Sequence, residues 1–266
     1  MRLRQRRARQ QALRRRTDGQ AAPRRRGDAG GLGLSAALAL RALTAGSTLR
    51  GLRAAAPAFA ARTGCALAIE TDHGHAIEAR ARKGALEADA LLLPAHMIEA
   101  LTRAGLIEPR SVGLGAVATS AVVSSEAPDP QVDTLAGLKD AVRRAQAVLI
   151  TTAPSGLHMT SVFERLDLAE EIAHKILRFD RSADLNEWLR RHRQRAAIGF
   201  GPTTEIVGAL DVKHGGLIAQ GAQMILSYAA ALTPAGAQTT CGADFLDFLA
   251  QAEARAAFAQ SGIIQR

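Results

Sequence analysis

From residue 37 onward, short apolar runs alternate with helical patterns. The spacing predicts strand 38–45, helix 48–62, strand 65–71, helix 75–83, strand 89–93 and helix 95–104. Val, Leu, Ile and Ala runs separated by helices imply parallel neighbours, because a parallel pair needs a long crossover and a helix supplies one. The expected fold class is therefore α/β, with mostly parallel sheets covered by helices on both faces. Arg62-Thr63-Gly64 and Lys83-Gly84 close their helices with a basic last turn followed by glycine, as the dipole and a left-handed cap favour.

The run Ser111 to Ser125 is long, rich in small residues and extended, and it ends in the turn-rich segment 126–130. It reads as a strand crossing between two lobes. A second series follows: helix 134–145, strand 147–151, helix 156–166, strand 175–179, helix 182–193, strand 196–200, helix 202–210 and strand 216–220. Residues 223–233 are again extended and would return the chain, so that two crossing strands form a hinge. Helices 242–250 and 252–261 close the chain. The expected division is 37–115 plus 228–266 for lobe 1 and 116–227 for lobe 2, after an arginine-rich segment 1–36.

Several strand-to-helix junctions carry small polar residues. Gly46-Ser47-Thr48 follows the first strand, and related junctions lie near His73-Gly74-His75, Pro154-Ser155-Gly156 and Pro202-Thr203-Thr204. The first turn of a helix leaves amides unpaired and carries the positive end of the dipole, so hydroxyls there can hold a small oxyanion. The alternative at any one junction is a simple helix cap. Repetition argues for several such ends converging on one ligand cleft.

The net charge of +9 is not a property of the whole chain. Residues 1–26 contain eleven Arg and one Asp, a net +10, which leaves −1 for residues 27–266. The body is thus nearly neutral, and nucleic acid is not an expected partner of it. Aromatic residues make up 3% of the chain, which disfavours a stacked heterocyclic ligand. Residues 27–40 look like a short signal segment with a twin-arginine-like preface, but Arg41 interrupts them and their end is needed for the first strand. Export and a cytoplasmic location both remain open, and no stretch is long and apolar enough to span a membrane.

Cys65 and Cys241 show no paired metal-ligand spacing and read as two ordinary small residues, at a strand start and a helix cap, with a single bridge as the alternative. Asp72, His73 and His75 lack a further spaced ligand, so no metal site is expected. Phosphate-loop, HExxH and GxSxG patterns are absent. Gly31, Gly33 and Ala36 imitate a dinucleotide fingerprint without the preceding strand. Asp89 and Glu205 sit at element ends and read as capping or hinge residues. Trp188 reads as a packing residue. No catalytic pair and no cofactor site emerge, so a non-enzymatic role is expected.

The phrases Leu-Thr-Ala-Gly-Ser-Thr-Leu (43–49), Glu-Ala-Asp-Ala-Leu-Leu-Leu (87–93), Pro-Ser-Gly-Leu-His-Met-Thr (154–160), Ala-Ala-Ile-Gly-Phe-Gly-Pro-Thr-Thr-Glu-Ile (196–206) and Ala-Arg-Ala-Ala-Phe-Ala-Gln-Ser-Gly-Ile (254–263) occur in a telling order and spacing. Over about residues 38–264 the chain resembles the molybdate ABC transporter substrate-binding proteins, as a divergent member. The resemblance implies a type II periplasmic-binding-protein fold, a tetrahedral oxyanion such as molybdate or tungstate as ligand, and an ABC permease as partner. It places ligand contacts at Ser47, Thr48, Ser155 and Gly156. His75 falls where a second serine is usual, and Phe200 where a ligand-binding tyrosine is common. A cytoplasmic effector-sensing module, with the basic arm touching nucleic acid, is the competing reading.

Overall fold

The computed structural model describes residues 38–193 and 195–265. The arginine-rich segment, the imitation dinucleotide motif and most of the signal-like stretch lie outside them. Among the described residues nine strands form one sheet in the order β2 (Ala66–Thr71), β1 (Ala39–Thr44), β3 (Ala90–Pro94), β9 (Ile225–Leu232), β4 (Ser111–Ser124), β7 (Ala197–Pro202), β5 (Ala147–Thr151), β6 (Ile176–Phe179), with β8 (Val212–Leu217) also on β4. Strand β1 (Ala39–Thr44) runs parallel to β2 (Ala66–Thr71) and to β3 (Ala90–Pro94). The crossovers are α1 (Gly46–Thr63) and α2 (Gly74–Arg82), and α3 (Ala95–Arg103) follows β3. Gly64 adopts φ 73° and its amide returns to the Ala60 carbonyl, ending α1 as the sequence predicts.

Two strands join the halves. The first part of β4 (Ser111–Ser124) pairs antiparallel with β9 (Ile225–Leu232) through Ala118, and its later residues pair with β7 (Ala197–Pro202) and β8 (Val212–Leu217). On its other edge β9 pairs with β3. The parallel set therefore continues beyond β4 as β7, β5 (Ala147–Thr151) and β6 (Ile176–Phe179). Helices α4 (Leu135–Arg144), α5 (Pro154–Arg165), α6 (Ala169–Ile172), α7 (Ser182–Arg191) and α8 (Thr203–Ile206) belong to this second half. The chain ends through α9 (Pro234–Ala237), α10 (Gly242–Leu249) and α11 (Ala252–Gln260).

Burial follows strand periodicity. In β5, Val148 and Ile150 enter one core with Phe163 and Phe200, whereas Ala147 and Leu149 enter another with Leu185 and Leu189. Side chains alternate across a strand, so a sheet clad on both faces reads as the unbroken apolar run Ala-Val-Leu-Ile. The first half has one large core, in which Phe59 of α1 meets Phe245 and Phe248 of α10. Gly51 lets α11 approach, since a Cβ there would lie 2.3 Å from the Phe258 ring.

Three sequence expectations change. The helix foreseen over 202–210 stops at Ile206, because Val207 leaves helical geometry and Gly208 turns left-handed at φ 70°. The strand foreseen over 216–220 lies at Val212–Leu217 instead. Cys65 and Cys241 are not independent small residues: they form a disulfide with Cα atoms 6.3 Å apart, within the bridging range. It ties the entry to β2 to the N-cap of α10, across 176 positions of sequence.

Candidate functional site

The C-terminal ends of the parallel strands and the two crossing strands enclose a cleft of about 1820 Å³. Both halves contribute to it, α1 from the first and α5, α7 and α8 from the second, with Val117, Leu226 and Tyr228 from the crossing strands between them. Placement at the carboxyl ends of strands is the position that open α/β sheets reserve for ligands.

Helix α1 brings its first turn to this cleft. Its N-cap, Ala45, has no side chain to cap the helix, and the Gly46 and Ser47 amides have no intrahelical acceptor, whereas the Thr48 amide donates to the Ala45 carbonyl at 3.2 Å. Ser47 and Arg50 line the cleft one turn apart, followed by Ala54. The Ser47 hydroxyl donates to Glu205 Oε1 at 3.1 Å, a contact across 158 positions. Arg50 reaches the same segment, donating to the Gly208 carbonyl at 2.9 Å. Tyr228 of β9 lies on the cleft wall. Burial pushes its phenol above the usual range, the Ser47 hydroxyl opposes that shift, and the Glu205 charge adds to it.

Glu205 is held from behind. Thr203 donates to the Ala118 carbonyl at 2.9 Å and shares a 2.6 Å hydrogen bond with Ser120, which meets His214 Nε2 at 2.9 Å. Since the Thr203 proton goes to Ala118, Ser120 donates to Thr203, and His214 donates to Ser120. Asn186 of α7 donates to the Glu205 carbonyl at 3.1 Å. These bonds fix α8 against β4 and α7, and with it the carboxylate two residues further on.

Helix α5 presents the second mouth. Its N-cap, Ala153, again offers no side-chain cap, and Pro154 occupies the first turn, where its missing amide costs nothing. Ser155 lines the cleft and is 4% exposed. Among the described residues its hydroxyl has no protein hydrogen bond. Thr152 donates to Asp180 at 3.4 Å nearby.

Charge around the cleft is mixed. Arg50, Arg53, Arg181 and Arg190 line it together with Asp72, Asp180, Glu187, Glu205 and Asp211. Several acids are neutralised locally. Arg190 and Arg191 each approach Glu187 to 2.6 Å, and the Arg190 hydrogen bond chiefly holds that carboxyl down to about 2. Arg181 pairs with Asp184 at 2.8 Å, Arg80 with Asp72 at 3.8 Å, and Arg193 with Asp211 at 3.2 Å. Glu205 has no cationic partner among the described residues. Asp89, the other acid singled out in the sequence, is remote from the cleft: Arg41 holds it through side-chain bonds of 2.9 and 3.2 Å and an amide bond of 2.8 Å, which lowers its pKa.

Of the residues singled out for ligand contact, Ser47, His75 and Ser155 line the one cleft. Three others do not. Thr48 is fully buried and bonds to Thr44 at 2.5 Å and to the Ala45 carbonyl, so its hydroxyl is internal to the β1–α1 corner. Gly156 is a packing residue, since a Cβ there would stand 1.8 Å from the Thr151 carbonyl oxygen. Phe200 is fully buried and packs edge-on against Phe163, on the face that strand alternation assigns to it. The phenol in the cleft is instead that of Tyr228, which sequence reading treated only as part of a returning strand. The one signal for the α1 wall was helical spacing, since Ser47, Arg50 and Ala54 fall on one stripe. Among the described residues no group of three or more His, Cys, Asp or Glu could hold a metal ion, and no helix is long and apolar enough to cross a membrane.

A two-lobed α/β molecule with crossing strands and an interlobe cleft defines the class of type II periplasmic-binding folds. The chain belongs to the bacterial extracellular solute-binding protein family, whose profile matches residues 40–264. It is 25% identical over 231 residues to an aconitate isomerase of Pseudomonas sp, covering 84% of this chain and 87% of that one. The periplasmic molybdate-binding protein of Azotobacter vinelandii superposes with a TM-score of 0.68 at 19% identity, over 85% of this chain and 99% of the other. The binding protein AgtB from A. tumefaciens R10, in complex with agropinic acid, superposes with 0.61 at 15% identity, over 84% and 81%. At these identities the two structures establish the fold alone.

Proposed function

We propose that the protein is an exported solute-binding protein that captures a small oxyanion between its lobes and delivers it to an ABC permease. The observation that carries this reading is that Ser47 and Ser155, each one residue inside a long helix, face a single cleft. A helix mouth with a hydroxyl and unpaired amides binds anions through charge-assisted hydrogen bonds. Arg50 and Arg53, which pair with no carboxylate among the described residues, line the cleft, and their planar forks suit carboxylate as well as they suit inorganic oxyanions.

Molybdate and tungstate are the ligands that the sequence resemblance implies. The cleft, however, exceeds the several hundred Å³ typical of a small-molecule site, and the named relatives include proteins of organic acids, an aconitate isomerase and an agropinic acid binder. Export is supported by the Cys65–Cys241 bridge, since structural disulfides persist in oxidising compartments and are rare in the cytosol. That observation weighs against a cytoplasmic effector sensor.

Titration calorimetry of the purified protein with molybdate, tungstate, sulfate and a set of small organic acids tests the reading. One-to-one binding of at least one anion is expected. Failure of all of them at millimolar concentration overturns it.

A further inference from the structure

We infer that the cleft selects organic acids that also carry a hydrogen-bond donor, hydroxy- or amino-carboxylates, and that Glu205 makes the selection by occupying the α1 mouth. This inference rests on the anion-binding reading above and names the chemistry of that same site.

Ser47 has one hydroxyl proton, and it goes to Glu205 Oε1. Toward a ligand the hydroxyl then offers only lone pairs. Asn186 directs its amide N–H to the Glu205 carbonyl, which fixes the orientation of the amide and leaves Oδ1 buried with no partner. Thr204, 4% exposed on the cleft wall, also has a buried Oγ1 without a partner. Buried polar atoms of this kind are uncommon in native proteins and call for a partner. The α1 mouth is thus closed by a carboxylate that holds the Ser47 proton and has no cationic partner among the described residues. A fully ionised tetrahedral oxyanion has no proton to give to Glu205, and its charge is repelled by it. A hydroxyl or ammonium group can donate to Glu205.

The α5 side has the opposite character. Ser155 retains its hydroxyl proton and its first-turn amide, and no carboxylate caps it. A ligand whose carboxylate seats at α5 and whose donor group faces Glu205 matches the character of both mouths. Sites built to bond a hydroxyl or amino group reject the analogue that lacks it by large factors, because their own polar atoms are then stranded.

Calorimetry with matched compounds decides the matter. Malate and aspartate are compared with succinate, and citrate with tricarballylate, alongside molybdate and sulfate, on the wild-type protein and on Glu205→Gln, whose melting temperature is recorded as a folding control. At least one hydroxy- or amino-acid is expected to bind tenfold or more tighter than its deoxy counterpart. Glu205→Gln is expected to narrow that ratio and to raise molybdate or sulfate affinity tenfold or more. Wild-type protein that prefers molybdate to every organic acid, or that binds matched compounds equally, overturns this inference and leaves the anion-binding reading standing. Absence of binding by every anion overturns both. The wild-type ratios decide the question even where the variant fails to fold.

Discussion

Ser47 and Ser155 occupy equivalent places, each the second residue of a long helix that follows a parallel strand, and each behind an alanine N-cap. What faces them differs. A carboxylate from 158 positions away meets Ser47, while Ser155 has no such cap among the described residues. The backbone around the two mouths differs as well. At the α1 mouth a Cβ on Gly46 would sit 3.3 Å from Glu205 Oε1, the tip of a flexible side chain, whereas at the α5 mouth a Cβ on Gly156 would overlap the Thr151 carbonyl at 1.8 Å. A helix mouth is therefore not an anion site by sequence alone. The chain decides its character by what it packs opposite, and here one mouth is filled and adjustable while the other is open and rigid.

The sharpest way to break that contrast is to add one methyl group to each mouth. Gly156→Ala forces α5 away from β5 and is expected to cost about 3 kcal/mol or more of stability, read by denaturant titration, because a backbone oxygen has no room to yield. Gly46→Ala is expected to cost less than about 1 kcal/mol, since the nearest neighbour is the tip of a flexible carboxylate side chain that can shift. Equal costs would mean that the two mouths are not differently braced.

A smaller effect distinguishes the halves that carry the mouths. The disulfide lies wholly in the half that holds α1, between Cys65 and Cys241. Replacing both cysteines by alanine is expected to lower stability by about 2–4 kcal/mol, as loss of a long-loop constraint does. Hydrogen exchange is expected to rise in α1 and α10, which share the Phe59–Phe245 contact, and much less in α5 and α7. A uniform rise through both halves would show that they do not open independently.

How far the sequence discloses these features follows from the range of the interactions. Strand β5 is legible to the residue as 147–151, because an apolar run bounded by a basic helix end and a helix start has one strand reading. Helices α1, α5 and α7 are legible within two residues at each end for the same reason of period and punctuation. The crossing strands β4 and β9 are visible as long small-residue runs. What was hidden depends on contacts far apart in sequence. The Cys65–Cys241 bridge, the Ser47–Glu205 bond and the entry of Tyr228 into the cleft each require knowing which elements meet. Phe200 sits in the core with Ile198, as strand alternation assigns it, and not at the ligand position that the family resemblance implies. At Gly156 and Thr48 a mouth residue that packs and one that binds share the same local sequence, and only the fold separates them.

The smallest expected effects lie in the serines themselves, and they test the comparison most directly. For an organic acid that binds the wild-type protein, Ser155→Ala removes a hydroxyl whose proton is available to the ligand, and affinity is expected to fall about tenfold, roughly 1.4 kcal/mol. Ser47→Ala removes a hydroxyl already bonded to Glu205, so affinity is expected to fall only about threefold. In Glu205→Gln the order is expected to tighten: the neutral side chain no longer holds the Ser47 proton as strongly, and Ser47→Ala in that background approaches the tenfold loss at Ser155. Calorimetry on the single and double variants reads this as a coupling between positions 47 and 205. Additive losses would show that Glu205 does not set what Ser47 offers, and the two mouths would then be alike in chemistry as well as in sequence.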